Sequence, residues 1–322
     1  MFRMIKAILI AALLVVSTAS SAQSYPSKPI HIIVPYPAGG TSDILARTIG
    51  QRLSESFGQP VIVENKPGAN GNVGADLVAK APADGYTLLL ADIGALVISP
   101  SVYPTLPFDP VKDFAPVTMV AYSPHILVVH PSVQAASVKE LVGLAKSKPG
   151  KLNFAISGVG GAPHLAGVDF AMRTGIDWTY IPYKGGAQAI ADVAGGQADV
   201  TLNGMLATYP LVQGGKLKLL AVSSAKRMSA IPDVPTIAES GVPDFESGSW
   251  QGVVVPAGTP REVVARLNSE ILRIVNAPEM RDRLGKQGAD VRTNTPEEFG
   301  TFIRSEAAKW AKVVKDANIK VD

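Results

Sequence analysis

The chain has 322 residues and contains no cysteine. It can therefore form neither a disulfide nor a thiolate-bound metal site, and it has no thiol for lipid attachment. Histidine is scarce as well: the four histidines show no H-E-x-x-H or paired spacing, so no metal site is predicted. A large excess of charge of one sign is also missing, because 30 basic residues face 27 acidic ones. With no basic run, nucleic acid is not an expected partner, and any selectivity for an anion must be local.

The one long apolar run lies close to the start of the chain. Arg3 and Lys6 are followed by ten apolar residues from Ala7 to Val16. The small residues Ser20, Ser21 and Ala22 then precede Gln23. This pattern predicts a secretory signal peptide over residues 1–22, cut after Ala22, because the run is too short to span a bilayer. An uncleaved anchor is the alternative. An exported chain without disulfides fits a bacterial periplasm, which is the predicted location.

Removal of residues 1–22 leaves about 300 residues and lowers the formal charge from +3 to +1, because Arg3 and Lys6 are lost. This length suggests two domains, and a hydrophobic content of 47% supports a sizeable core. From Ile30 onward, strand signals alternate with helix signals. The predicted fold class is therefore α/β, with two doubly wound, mainly parallel sheets that carry helices on both faces.

Prolines break the pattern in the middle of the first half. The segment from Asp92 to Phe114 contains four prolines and is predicted to be a loop. Beyond it, residues 116–122 and 126–130 are predicted as two separate extended pieces.

Polar residues mark the expected starts of three helices. Capping boxes are predicted at Ser137 to Glu140 and at Thr295 to Glu298. In the similar stretch Thr259 to Glu262, the threonine is predicted as the N-cap and the following proline as the first helical residue.

Three glycine-bearing turns, each between a predicted strand and a predicted helix, are the strongest functional signal. They span Pro35 to Asp43, Ser157 to His164 and Pro182 to Ala187. Free backbone N–H groups at a helix start, together with the positive end of the helix dipole, form an anion site. Only one turn carries a cationic side chain, Lys184, so backbone amides should do most of the binding. Because ligands of α/β sheets bind beyond the carboxyl ends of strands, the turns share one cleft if the two domains face each other.

Eight stretches are distinctive: Tyr25 to Ile30, Val34 to Asp43, Val63 to Asn72, Asp84 to Leu89, Tyr183 to Gly185, Ala221 to Arg227, Pro232 to Thr236 and Val255 to Pro260. In this order, and over nearly the whole mature chain, they resemble the extracytoplasmic solute receptors of tripartite tricarboxylate transporters, the Bug family. The resemblance implies a two-lobed periplasmic binding protein of type II topology. Its lobes would close over a small carboxylate held by loop amides and ordered water rather than by an arginine fork.

The same resemblance sets the expected lobes. Lobe 1 would comprise residues 23–123 and 249–322, and lobe 2 residues 124–248, with the ligand cleft between them. The chain would cross between the lobes near Tyr122–His125 and near Ser247–Gln251.

The ligand is expected to contact the three turns and two residues that follow strands. The candidate residues are Tyr36, Ala38, Gly39, Gly40, Thr41, Asp92, Ser157, Gly160, Gly161, Ala162, His164, Tyr183, Lys184, Gly185, Gly186, Ala187 and Asn203. Three side chains have alternatives. Asp43 is expected to cap its helix rather than bind, His164 could be a packed residue in a first helical turn, and Lys184 could be solvated on a loop tip.

Asp92 and Asn203 depart from the family pattern, which more often shows a small polar residue at the first position and, in many members, aspartate at the second. Asp92 would repel a second carboxylate unless it is protonated or faces an ammonium, amide or hydroxyl group. The hypothesis is therefore a ligand that is not a plain tricarboxylate. The alternative role of Asp92 is hydrogen bonding to nearby loop amides.

The predicted function is capture of a carboxylate-bearing solute and its delivery to membrane transporter subunits. Presentation of the bound form to a membrane sensor kinase is an alternative that the sequence does not separate. An enzyme is not expected, because Ser157 lies in no G-x-S-x-G elbow and Ser157–Gly160 lacks the spacing of a dinucleotide fingerprint. No cofactor and no stable oligomer are predicted.

Overall fold

The computed structural model describes residues 25–316, so the predicted signal peptide lies outside the described residues. Within this range no helix combines the length and apolarity that crossing a membrane requires. The strands are β1 (Ile30–Val34), β2 (Val61–Asn65), β3 (Thr87–Asp92), β4 (Phe114–Val129), β5 (Asn153–Ile156), β6 (Thr179–Pro182), β7 (Val200–Gly204), β8 (Lys218–Val222), β9 (Gly248–Pro256) and β10 (Asp290–Val291). The α-helices are α1 (Thr41–Phe57), α2 (Asn72–Ala79), α3 (Ser99–Val102), α4 (Val138–Ser147), α5 (Ala162–Thr174), α6 (Gly186–Ala194), α7 (Met205–Gln213), α8 (Arg261–Val275), α9 (Pro278–Lys286) and α10 (Pro296–Asp316).

The strands follow the path β2-β1-β3-β9-β4-β7-β5-β6, with β8 and β10 also paired to β4. The groups β2-β1-β3 and β7-β5-β6 are parallel, as expected for strands joined by crossover helices. β4 and β9 pair antiparallel to each other and to their other neighbours. The residues of β4 from Phe114 to Pro124 pair with β9, whereas those from His125 to Val129 pair with β7 and with part of β8.

Helices cover both faces of the sheet, which confirms the predicted doubly wound α/β class. The two predicted sheets are joined into one ten-stranded path, because β4 pairs with β9 along its first part and with β7 and β8 along its second. Alternate residues of one strand enter opposite cores: Leu127 packs with α4 and α5, while Ile126 and Val128 pack with α6 and α7. In the first half, α1, α8 and α9 share one core, and α2, α3 and α10 share the other. Each face therefore supplies a hydrophobic layer that fixes where the strand ends and their turns lie.

Two predictions between residues 92 and 130 are wrong. The segment predicted as a loop contains a π-helical turn (Gly94–Ile98), all of it buried, followed directly by α3. Pro100 is tolerated because it lies in the first turn of α3, where its missing N–H has no helical partner. The two predicted extended pieces are one 16-residue strand, β4. Pro124 fits within it because it forms the last pair of the ladder with β9.

Two of the three predicted helix starts are confirmed. The Ser137 Oγ accepts the Glu140 N–H at 3.2 Å, and the Thr295 Oγ1 accepts the Glu298 N–H at 3.2 Å. The third differs, because α8 begins at Arg261 with Pro260 as its cap residue. The hydroxyl of Thr259 instead donates to the carbonyl of Pro256 at 2.7 Å, so it closes the preceding turn.

Candidate functional site

A cavity of about 60 Å³ lies beyond the carboxyl ends of β1, β3, β5 and β7. All three glycine turns contribute to its wall, as do the residues at the ends of β3 and β7. Nine of the seventeen candidate residues line it: Tyr36, Gly40, Thr41, Asp92, Ser157, Gly161, Ala162, Gly186 and Asn203. None of the residues that line this cavity is a lysine or an arginine.

Three helices begin at the cavity wall. α1 starts at Thr41, α5 at Ala162 and α6 at Gly186, and each is preceded by a glycine that lines the cavity or packs behind it. Among the described residues, no protein acceptor is found for the first amides of α1 or α6. Unpaired amides at the positive end of a helix dipole favour an anionic oxygen, so this wall can hold a carboxylate without a cationic side chain.

The first turn is organised by its acid. The Gly39 N–H donates to Asp43 Oδ2 at 2.9 Å, and Arg47 and Asn65 donate to the same carboxylate. Burial raises the pKa of Asp43, but the hydrogen bonds outweigh it and the pKa lies below its usual value. Asp43 therefore stays ionised and caps the turn, as expected, while the amides that follow Gly40 remain free.

Asp92 is the one acid on the cavity wall. Its Oδ1 accepts the Tyr36 hydroxyl at 2.7 Å, the Gly94 N–H at 2.9 Å and the Ala95 N–H at 3.4 Å. Burial raises the pKa of Asp92 to about 6, and these three hydrogen bonds work against that rise. Burial, with the nearby Asp92 charge, also raises the pKa of Tyr36, so the hydroxyl stays protonated and donates. The alternative role of Asp92, hydrogen bonding to loop amides, is thus present in the structure.

Three polar atoms on the cavity wall are buried without a protein partner. They are Ser123 Oγ, Asn203 Nδ2 and Gln251 Oε1. The side chain of Asn203 is oriented by its other end, because its Oδ1 accepts the Gly204 N–H at 2.9 Å. The Gln251 Nε2 donates to Ser249 Oγ at 3.2 Å, which leaves its Oε1 without a donor. Because buried polar groups normally have partners, atoms of this kind point to a bound polar molecule or ordered water.

Two further polar residues complete the wall. Asn70 has a left-handed backbone with φ 54°, which asparagine tolerates better than most residues, and its Nδ2 donates to Ser99 Oγ at 3.4 Å. His125 is 1% exposed, and its Nδ1 lies 3.1 Å from Ser247 Oγ. Burial lowers the pKa of His125 to about 4, so at neutral pH the imidazole carries no charge.

The other eight candidate residues lie outside the wall: Ala38, Gly39, Gly160, His164, Tyr183, Lys184, Gly185 and Ala187. His164 fits its packed alternative, because its Nδ1 accepts the Gly160 N–H at 3.0 Å and its ring meets Tyr180 edge-on at 5.0 Å. Burial lowers the pKa of His164 to about 4. Lys184 is exposed, and its amide donates to Gln188 Oε1 at 3.2 Å.

The third turn packs against the first. A Cβ atom at Gly39 would lie 3.8 Å from Ala187 Cβ, and one at Gly185 would lie 2.5 Å from Pro37 Cδ. Gly39, Gly185 and Ala187 thus join the two turns behind the wall rather than face the cavity.

Nine lining residues were not among the candidates: Ser42, Asn70, Gly94, Ser123, His125, Pro163, Gly204, Ser249 and Gln251. Four of them lie in the two stretches where the chain was expected to cross between lobes, and Asn70 lies in a stretch that carries the family resemblance. Polar residues at an expected crossing could therefore have been proposed as site residues. Within residues 25–316, no group of three or more histidine or acidic residues could hold a metal ion.

The chain is similar to several known proteins. A family profile described as "Tripartite tricarboxylate transporter family receptor" matches residues 45–319. The chain is 37% identical to Protein BugT of Bordetella pertussis over 302 residues. The aligned region covers 94% of this chain and 93% of BugT. The structure of R. palustris Rpa4515 with adipate has a TM-score of 0.91 at 37% identity, covering 92% of this chain and 100% of that one. MatC from Rhodopseudomonas palustris with bound malate has a TM-score of 0.85 at 30% identity, covering 90% and 100%.

The structure of the periplasmic binding protein BugD also matches, with a TM-score of 0.88 at 34% identity, covering 92% of this chain and 100% of that one. These likenesses confirm the predicted two-lobed, type II periplasmic binding protein fold. The family consists of periplasmic solute-binding proteins rather than enzymes. A match that extends over most of the chain, together with 37% identity to BugT along nearly its full length, shows that this chain belongs to the family of tripartite tricarboxylate transporter receptors.

Proposed function

We propose that this chain captures a small organic acid by closing its two lobes over the cavity, and that it delivers the acid to a tripartite tricarboxylate-type membrane transporter. One observation carries the proposal: the starts of three helices and three unpartnered polar atoms face one small cavity. A volume of about 60 Å³ lies well below that of common drug-sized sites and favours a short acid. The adipate of Rpa4515 and the malate of MatC are acids of this kind.

The proposed lobes are residues 23–123 with 249–322, and residues 124–248. The exchange of strand partners along β4, at Pro124 and His125, supports this division. The close approach of Gly185 to Pro37 supports closure, because these residues belong to opposite proposed lobes. A Cβ atom at Gly161 would lie 2.9 Å from Asn70 Oδ1, a second contact of the same kind.

The energies are consistent with useful affinity. A hydrogen bond to a charged group contributes roughly 1.5–3 kcal/mol, and micromolar binding requires about 8 kcal/mol. A carboxylate held by three or four amides, with apolar burial against Tyr36, can reach that value after the cost of ordering. Because no step of bond breaking is required of these groups, the proposed activity is binding without turnover.

Binding is tested by calorimetry and thermal shift on the purified mature chain with succinate, malate, adipate, amino acids and aromatic acids. We expect saturable one-to-one binding of at least one compound, with a melting temperature that rises with its concentration. In Gly186→Leu, a side chain would enter the space beside Asn203, because even its Cβ atom would lie 2.9 Å from Asn203 Oδ1, and binding should be lost. Gly143→Leu, on an open helix surface, is the matched control.

Delivery is tested separately from capture. Cells that lack this chain should lose high-affinity uptake of the acid that the purified protein binds, and the Gly143→Leu variant should restore it. Unchanged uptake would contradict delivery and leave capture standing. A panel in which no compound binds would overturn the proposed function as a whole.

A further inference from the structure

Asp92, the acid of the cavity wall, lies beside a second hydrogen-bond acceptor, the side chain of Gln251. Asp92 and Gln251 are directly paired across the antiparallel strands β3 and β9, so their side chains leave the sheet on the same face. Both line the cavity, and Gln251 is 1% exposed. The unpartnered atom of Gln251 is its carbonyl oxygen, an acceptor, and an ionised carboxylate such as Asp92 can only accept.

A third acceptor lies beside this pair. A Cβ atom at Gly94 would lie 3.1 Å from Asp92 Oδ1 and 3.2 Å from Asn70 Oδ1, so the two oxygens approach the same point. No protein donor to Asn70 Oδ1 is found among the described residues. The residues Asp92, Gln251 and Asn70 therefore form an acceptor group on one side of the cavity.

Donors gather on another side. A Cβ atom at Gly186, the first residue of α6, would lie 3.3 Å from the unpartnered Asn203 Nδ2. A Cβ atom at Gly204, next to Asn203, would lie 2.6 Å from Thr41 Oγ1 at the start of α1. The starts of α1 and α6 and the amide nitrogen of Asn203 thus form a donor group, which suits a carboxylate.

The charged side chains of the wall are also of one sign, which is negative. Asp92 brings the one acidic side chain, and no lysine or arginine lines the cavity. A dicarboxylate would place its second charge near an ionised Asp92 in a partly buried space, where like charges interact strongly. An ammonium would instead neutralise Asp92. Because Asp92 Oδ1 already accepts three protein hydrogen bonds, the three N–H groups of an ammonium match Asp92 Oδ2, Gln251 Oε1 and Asn70 Oδ1.

Resting on the function proposed above, we propose that the ligand is an amino acid in the broad sense, a carboxylate that also carries an ammonium group. Its carboxylate binds the donor group at the starts of α1 and α6. Its ammonium binds the acceptor group formed by Asp92, Gln251 and Asn70. Asp92 is thereby the residue that selects an ammonium over a second carboxylate.

The test compares matched ligands by calorimetry on the purified mature chain at pH 7.5. The pairs are adipate with 6-aminohexanoate, glutarate with 5-aminopentanoate, succinate with 4-aminobutanoate, and lactate with alanine. In the best-binding pair we expect the ammonium compound to bind at least tenfold more tightly than its partner. In Asp92→Asn this ratio should fall at least tenfold, whereas in Asp282→Asn, which changes an exposed acid, it should not change.

The outcomes separate the two proposals. Equal or tighter binding of the dicarboxylate or hydroxy acid by the unmodified protein would overturn this inference and leave solute capture intact. A ratio unaffected by Asp92→Asn would overturn it equally. Binding of no compound would overturn the proposed function, and this inference with it. If Asp92→Asn does not fold, Gln251→Glu decides: a second negative charge in the acceptor group should raise the ratio, and a fall would contradict the assignment.

Discussion

Gly185 lies so close to Pro37 that a Cβ atom at residue 185 would be 2.5 Å from Pro37 Cδ. The two residues belong to the third and first glycine turns, which are separated by about 150 positions in the chain. The backbone of Gly185 is extended, with φ 173°, so the need for glycine here is one of space rather than of backbone conformation. This contact joins the two turns behind the cavity wall.

Gly185→Ala should therefore weaken ligand binding at least tenfold, because the added methyl group keeps the first and third turns apart in the closed form. The unliganded protein should keep its melting temperature to within a few degrees. Calorimetry with the best ligand measures the change, and Gly143→Ala, on an open helix surface, is the control. An unchanged Kd would show that this contact is not needed for closure.

Asn203→Ala should lower affinity for the carboxylate by about tenfold or more. The variant removes a buried donor beside the start of α6, and a hydrogen bond to a charged group contributes roughly 1.5–3 kcal/mol. Titration calorimetry gives the affinity. Asn268→Ala is the control, because its amide bonds the carbonyls of Val117 and Asn294 rather than the cavity. Asn268→Ala should lose stability and keep its affinity for the ligand. An affinity that falls in Asn268→Ala but not in Asn203→Ala would contradict the role of Asn203.

Stability should fall on acidification between about pH 6.5 and pH 4. Burial lowers the pKa of His125 and His164 to about 4, so the unfolded chain takes up these protons before the folded chain does. Asp92 acts in the opposite sense, because its pKa is raised to about 6 and the folded chain protonates first. Because acidification destabilises the fold through two histidines and stabilises it through one aspartate, the free energy of unfolding should fall overall.

His125→Asn should remove roughly 2 kcal/mol of the difference in unfolding free energy between pH 7 and pH 4.5. Urea unfolding at the two pH values measures it, with His130→Asn as the matched control, since His130 bonds Ser132 away from the cavity. Asp92→Asn should make the loss on acidification larger. A smaller loss in that variant would contradict the assigned direction.

Gly252→Ala should destabilise the fold by about 1–3 kcal/mol, because a methyl group would overlap the ring of Phe299, which is fully buried. Thermal unfolding measures the change. The double variant Gly252→Ala with Phe299→Leu should recover part of it, since the smaller side chain makes room. Additive losses in the double variant would mean that the two sites do not compete for the same space.

Local chemistry accounts for what could be predicted. The boxes at Ser137 and Thr295 and the acid cap by Asp43 depend on residues within four positions of each other, so their spacing in the sequence is sufficient. Thr259 shows the limit of such patterns, because its hydroxyl donates to the carbonyl of Pro256 in the preceding turn instead of capping the helix. The π-helical turn after Asp92 was missed because burial, and not local propensity, holds it in place.

Short stretches of the chain were enough to predict the α/β alternation, the three glycine turns and the start of a helix behind each, since periodicity and capping are read over a few residues. Which polar groups face one another depends instead on how the whole chain packs. Asp92 and Gln251 are 159 positions apart and meet through strand pairing, and the crossing strands bring Ser123 and His125 to the wall. Contacts of that range depend on how whole strands and helices pack, and no short stretch of the chain encodes them.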